Sequence, residues 1–259
     1  MGNINGRDCQ SIKEVSVLDF QTLGRGTEEA KAKIDMVIYG RSGAGKTYCA
    51  ATAPIPFIIS PDPTGHKSVP YAIKGKVINN TEEVVEILDW FESGGHVEHG
   101  IETLIVDGVS FFYDLFTKEM GEYFVQYHGA KDADMMPIAA RGKIGNAYKR
   151  MLRRMVNLTQ TDHPVHVIFT TLDERVKEDE KAEFQIRPKF GSANMNETFP
   201  AFFSVIAYIN PTGGENEDGS PNEERKMLFT EYKGILARDR LGIFPKATET
   251  SIKLSSYLS

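Results

Sequence analysis

The sequence predicts an α/β domain with a mostly parallel, twisted sheet, helices on both faces and antiparallel strands toward the C-terminus. Three observations predict it. Short apolar runs alternate with amphipathic stretches from Ile34 to about Thr171. A glycine-rich turn separates the first apolar run from the first helical stretch, and the last third changes to hairpin-like segments. The 259 residues therefore divide into a polar N-terminal arm (1–33), one domain (34–245) and a C-terminal tail (246–259).

The elements are expected in this order. A strand over 34–39 leads through the glycine turn to a helix over 46–52, and a second strand over 57–60 ends at Pro-Asp-Pro-Thr-Gly, a run of turn-formers. Asn80 followed by Glu83 marks a helix start, and Val84, Leu88 and Phe91 continue at helical spacing until Gly94 and Gly95 stop it. A short apolar strand over 103–107 ends in Asp107, and a helix over 111–127 and a loop over 128–138 come next. The following helix, over 138–159, turns Ile144, Tyr148, Leu152, Met155 and Val156 inward. A buried strand over 165–171 leads into a charged hairpin over 174–187; strands over 203–209 and 226–232 flank the polar loop NPTGGENEDGSPNEER.

Composition narrows the class. The apolar share of 41% is ample for a core, and a net charge of -6 argues against coating nucleic acid through bulk positive charge while leaving room for a local basic groove. Cys9 and Cys49, the two cysteines, form neither a disulfide framework nor a metal-ligand spacing, which fits a reducing, cytoplasmic setting. No apolar run approaches the ~20 residues that span a bilayer. The N-terminus lacks a signal-peptide layout, and Gly6 stands where a myristoylation motif needs Ser or Thr. No membrane association is expected.

The chemistry concentrates in Gly40-Arg41-Ser42-Gly43-Ala44-Gly45-Lys46-Thr47, which matches GxxxxGK[ST] between a strand and a helix. Glycines let backbone N–H groups curl toward phosphates, Lys46 reaches the β- and γ-oxygens, the Thr47 hydroxyl ligates Mg2+, and Tyr48 follows at the edge of the pocket. ATP with Mg2+ is the expected ligand. Such a loop needs an acid at the end of a buried strand to hold the metal, commonly through water, and Asp107 after Thr-Leu-Ile-Val is the candidate. Gly108 follows it, so the adjacent acid of many ATPases is missing and the water-positioning carboxylate moves to Asp62. Asp62 has a second reading, as a turn residue between two prolines. The strand ending in Thr170 and Thr171 is expected between the first strand and the Asp107 strand, where one of the two hydroxyls, assigned to Thr171, senses the γ-phosphate.

The chain resembles the single-domain RecA-like ATPases of bacteriophages that serve recombination and single-strand annealing, within the RecA and DnaB-helicase group. The resemblance rests on the phosphate loop, TLIVDGVS, RGKIGNAYKRMLRRM leading into HVIFTT, and Ala237-Arg238-Asp239-Arg240-Leu241-Gly242. It implies ATP hydrolysis and a homo-oligomeric ring or filament in which Arg238 and Arg240 reach a neighbouring subunit's nucleotide. It further implies single-stranded DNA and a single-strand annealing or binding protein as partners, and the host cytoplasm as location. DNA-contacting loops would fall at about 128–138 and 174–196, where basic and acidic residues mix and Phe184 and Phe190 are candidates for stacking on bases. The basic helical run Arg141, Lys143, Lys149, Arg150, Arg153 and Arg154 lines a nucleic-acid groove, a subunit interface or a solvated face. Two other classes stay open: a small-molecule P-loop kinase, and a nucleotide-switched loading module with little turnover.

Overall fold

A computed structural model describes residues 33–128, 138–177, 183–211, 225–248 and 252–258. The expected N-terminal arm, most of the expected 128–138 loop and the core of the polar loop before Arg225 lie outside the described residues. Among the described residues ten strands form one sheet: β1 (Asp35–Gly40), β2 (Pro56–Ser60), β3 (Lys74–Val77), β4 (Thr103–Asp107), β5 (His166–Val176), β6 (Gln185–Pro188), β7 (Val205–Pro211), β8 (Arg225–Leu228), β9 (Arg238–Asp239) and β10 (Ala247–Thr248). The main path runs β10-β8-β7-β1-β5-β4-β2-β3, with β6 on β5 and β9 on β7. From β7 to β3 every pairing on that path is parallel; β6, β8, β9 and β10 join antiparallel.

The helices are α1 (Lys46–Ala51), α2 (Thr81–Glu92), α3 (Val109–His128), α4 (Ile138–Asn157), α5 (Ala193–Thr198) and α6 (Ser255–Leu258). Alternate residues of each central strand feed opposite cores, as a pleat of period two requires. Val37, Tyr39, Leu104, Val106, Val167 and Phe169 meet residues of α2, α3 and α4 on one face. Met36, Ile38, Ile105 and Ile168 meet α1 and the C-terminal residues Leu254 and Leu258 on the other. Burial on both faces is why these strands read as continuous apolar runs.

Local signals account for the helix ends. Asn80 Oδ1 accepts from the Glu83 N–H at 2.8 Å, and the Glu83 carboxylate accepts from the Asn79 N–H at 2.8 Å, a capping box whose return arm closes one residue early. Ile144, Tyr148, Leu152 and Met155 of α4 are buried, and Val156 packs partly against the core that holds Tyr148, Leu152 and Met155, as expected. Among the described residues no helix is long and apolar enough to cross a membrane.

Three features depart from the expectations. Strand β3 is an edge strand of Lys-Gly-Lys-Val with its first three residues exposed, so it carries no hydrophobic period to read. The strand expected over 226–232 ends at Leu228. The described residues of the expected tail, 246–248 and 252–258, pack on the domain: β10 pairs with β8, and Leu254 and Leu258 are buried in the second core. Apolar residues spaced too widely for a period still cover the α1 face of the sheet.

Candidate active site

Strand order builds the site. Strand β5 lies between β1 and β4, with Tyr39 opposite Thr171 and Asp107 opposite Thr170. The C-terminal ends of three parallel strands therefore open into one cleft of about 540 Å³, the usual ligand position in such sheets.

The phosphate loop forms its floor. Gly43 and Gly45 adopt φ of 77° and 89°, which β-carbon-bearing residues rarely accept, and this curls the loop between β1 and α1. Ala44 buries its methyl in the second core, while Ser42, Tyr48 and both glycines line the cleft. Lys46 Nζ donates to the carbonyls of Gly40 at 3.0 Å and Arg41 at 2.7 Å, folding the side chain back over its own loop. Burial lowers its pKa from the ordinary lysine value, and the carboxylates of Asp107 and Asp173 oppose that shift.

Asp107 is the hub of the opposite wall. Its Oδ1 accepts from Thr47 Oγ1 at 2.7 Å and from Thr170 Oγ1 at 2.5 Å. Its main-chain carbonyl accepts from Ser60 Oγ at 3.0 Å, so β2, β4, β5 and α1 converge on this residue. The Gly108 N–H donates to Thr170 Oγ1 at 2.9 Å, which orients that hydroxyl toward the acid. The expectation had assigned Thr171; its hydroxyl donates to the Lys189 carbonyl, although the residue still lines the cleft. Adjacent strand residues point to opposite faces, so only one of the pair can meet Asp107.

Asp62 closes the turn after β2 and also lines the cleft. Its Oδ1 accepts from the Thr64 N–H at 2.8 Å and the Thr64 hydroxyl at 2.6 Å, closing the turn after β2. These bonds hold its carboxyl below the usual carboxylate range. The other oxygen faces the cleft: a Cβ added at Gly65 would stand 3.4 Å from Asp62 Oδ2 and 2.7 Å from Asp107 Oδ2. A glycine thus separates the two carboxylates.

Ser110 and Arg225 are cleft residues that had no signal in the sequence. Ser110, the second residue of α3, lines it with a buried hydroxyl that has no hydrogen-bond partner among the described residues. Arg225 arrives from β8: a Cβ added at Gly45 would stand 2.5 Å from Arg225 Nη1. Arg225 closes the polar loop of the sequence reading, and only strand pairing brings it beside the phosphate loop.

The donor set fits a hard divalent cation, which takes one or two protein oxygens and keeps waters or phosphate oxygens for the rest. Thr47 and Asp107 are the residues that would hold it. Among the described residues no three His, Cys, Asp or Glu side chains gather as a metal cluster, so these two oxygens rely on the ligand to complete any shell.

Arg238 and Arg240 lie elsewhere. Strand β9 pairs with the start of β7, Arg238 opposite Ile206, at the Asp35 end of β1. Five strand steps, from Asp35 to Gly40, carry that end about 16 Å from the phosphate loop. Arg238 Nη2 donates to the carbonyls of Pro200 and, at 3.0 Å, Phe203. Arg240 is exposed, its N–H donates to the Ser204 carbonyl at 3.0 Å, and its charge acts on the buried Asp35. Neither lines its own chain's cleft.

The β5–β6 hairpin corrects one expectation. Phe190 is fully buried, stacked with Phe203 and edge-on to Phe199, so it offers nothing to a base. Phe184 is 47% exposed, with Arg175 and Lys177 over its ring at 4.5 and 5.2 Å. The basic face of α4 is divided: Arg154 pairs with Asp89 and Glu92 of α2, whereas Lys149 and Arg153 stand over the exposed Phe202 ring at 5.9 and 4.4 Å. Trp90 packs against the core and Cys49 is buried.

The comparison with curated proteins returned no match. A family profile described as "AAA domain" matches residues 32–241, from just before β1 to just past β9. That span contains the phosphate loop, the Asp107 strand and the strand between them, and the chain belongs to this AAA domain family of P-loop ATPases.

Proposed function

We propose that the chain is a Mg2+-dependent ATPase that assembles as a ring or filament on single-stranded DNA and supports phage DNA recombination, annealing or replication. The observation that carries the ATPase reading is the meeting of the Thr47 and Thr170 hydroxyls on Asp107 at the mouth of the phosphate loop. Mg2+ held there would neutralise charge on the β- and γ-phosphates. Lys46 binds the phosphates, Thr170 orients the Asp107 carboxylate, and Asp62 accepts a proton from, or orients, the attacking water.

Assembly is favoured by the position of the arginines. An arginine that stabilises phosphoryl transfer must touch the nucleotide, and Arg238 and Arg240 lie at the far end of β1 from their own phosphate loop. Arg240, the exposed member, then acts on a neighbour's nucleotide. Phe184 and Phe202, each exposed and flanked by two cations, suit contact with single-stranded DNA. A single-strand annealing or binding protein is the expected partner.

The test is ATPase activity against protein concentration, with and without single-stranded DNA. Specific activity rises steeply with concentration and rises again with DNA, the second effect fading with salt. Activity per protomer that is flat in both overturns assembly and DNA stimulation together. A nucleotide-switched loading module is a second reading, favoured by the Asp62 oxygen already committed to Thr64. Steady phosphate release from the assembled protein, lost in Lys46→Ala, excludes it.

A further inference from the structure

Arg225 is the second cation of the cleft and stands outside the P-loop motif. Among the residues that line the cleft, Lys46 and Arg225 carry positive charge and Asp62 and Asp107 carry negative charge. A phosphate chain is strongly anionic, and without Arg225 the two carboxylates would outnumber the one lysine; Arg225 brings the lining to balance.

The fold brings Arg225 to the cleft from the side of β1 opposite Asp107. Strand β7 runs parallel to β1, so its C-terminal end lies beside the phosphate loop. Strand β8 returns antiparallel with Arg225 opposite Pro211, the last residue of β7. The guanidinium then lies over the loop backbone: a Cβ at Gly45 would stand 2.5 Å from Nη1 and 3.0 Å from Cζ. Lys46 meanwhile donates to the carbonyls of Gly40 and Arg41, so the guanidinium is the cationic group over Gly45.

We propose that Arg225 is a phosphate-binding residue acting within its own chain, gripping the part of the phosphate chain that nucleoside di- and triphosphates share. This rests on the P-loop reading of the cleft. A planar guanidinium presents parallel N–H donors that match two phosphate oxygens, a role a lysine fills only as a point charge. The phosphate chain is then clamped between Lys46 in the loop and Arg225 on the added antiparallel strand. Glycine at 45 is required twice, for its positive φ and for the approach of the guanidinium.

The experiment measures binding of ADP and of a non-hydrolysable ATP analogue to wild type, Arg225→Gln, Arg225→Lys and the neighbouring Lys226→Gln. Arg225→Gln is expected to weaken both nucleotides roughly ten- to hundredfold, the range of a lost charge-assisted hydrogen bond. Arg225→Lys recovers part of that loss, and Lys226→Gln matches wild type. Unchanged affinity in Arg225→Gln overturns the proposal, and so does tighter binding, which would make the guanidinium a plug over the loop. A loss confined to the ATP analogue overturns it by moving the contact to the γ-phosphate; an equal loss in Lys226→Gln overturns it by making the effect one of general charge. Wild type that binds neither nucleotide is a separate outcome, a failure of the P-loop reading itself.

Discussion

Thr170 Oγ1 donates to Asp107 Oδ1 at 2.5 Å while accepting from the Gly108 N–H at 2.9 Å, so one hydroxyl on β5 ties both the side chain and the following main chain at the end of β4. The link crosses the strand pair in register, Asp107 opposite Thr170. Replacing Thr170 by Val strands a main-chain donor and removes a donor from a buried acid, at a cost of about 1–3 kcal/mol. Urea unfolding is expected to show a lower midpoint at unchanged slope, with Thr170→Ser close to wild type.

Asp107→Asn removes the charge that would hold the metal while keeping an oxygen near Thr47. Metal-dependent ATP hydrolysis is expected to fall by about a hundredfold or more, the scale of losing one electrostatic contact in the transition state. Nucleotide affinity measured with a metal chelator present changes little. Lys46→Ala, by contrast, loses affinity in both conditions, and the two signatures separate metal holding from phosphate holding.

Asp62→Asn keeps the oxygen that accepts from Thr64 and removes the charge that faces the cleft. Its expected effect is a lower kcat with KM nearly unchanged. Because the Thr64 bonds depress its pKa, Asp62 is ionised throughout the neutral range, and no acid limb from it appears in the activity profile near neutral pH. An Asp62→Asn enzyme with full kcat would leave this residue as a turn-former alone.

His166 makes stability depend on pH. Its Nδ1 accepts from the Ile34 N–H at 3.2 Å and its Nε2 lies 3.1 Å from the Leu258 carbonyl, an arrangement the neutral ring satisfies. Burial, with the Lys33 ammonium 3.4 Å away, lowers its pKa from 6.5 to about 4, against the opposing pull of the Leu258 carbonyl and Glu102. The unfolded chain takes up a proton below its own value near 6.5 while the folded chain does not. Stability is therefore lost as pH falls from about 6.5 to about 4, where the contribution levels off. Chemical denaturation across that range is expected to show a shallower decline in His166→Gln.

Phe190 and Phe184 sit six residues apart with opposite fates. Phe190→Ala empties a fully buried site among Phe199 and Phe203 and costs about 3–5 kcal/mol. Phe184→Ala loses exposed ring surface and the contacts of Arg175 and Lys177, a change of about 1 kcal/mol or less. Thermal melts of the two variants check the contrast, and DNA binding is expected to weaken in Phe184→Ala.

Sequence is most legible where the chemistry is local. The central strands announce themselves by unbroken apolar runs, because both of their faces are covered. Asn80 and Glu83 mark a helix start because capping takes place within four residues. Strand β3 was illegible because its pairing with β2, and not its composition, makes it a strand. Phe190 looked like Phe184 because one residue's burial depends on what folds over it.

By itself, then, the sequence determined a phosphate loop between a strand and a helix, an acid at the end of a buried strand, and a further buried strand ending in Thr170 and Thr171. Each is a short motif whose physics is complete within one turn or one strand. Tertiary structure decided which threonine meets Asp107, that Asp62 both closes its turn and faces the cleft, that Arg238 and Arg240 stand at the other end of β1, and that Arg225 lies over Gly45. These depend on strand register and crossover, which join residues 47, 62, 107, 170 and 225 at one sheet end. No local pattern encodes a meeting between such distant segments.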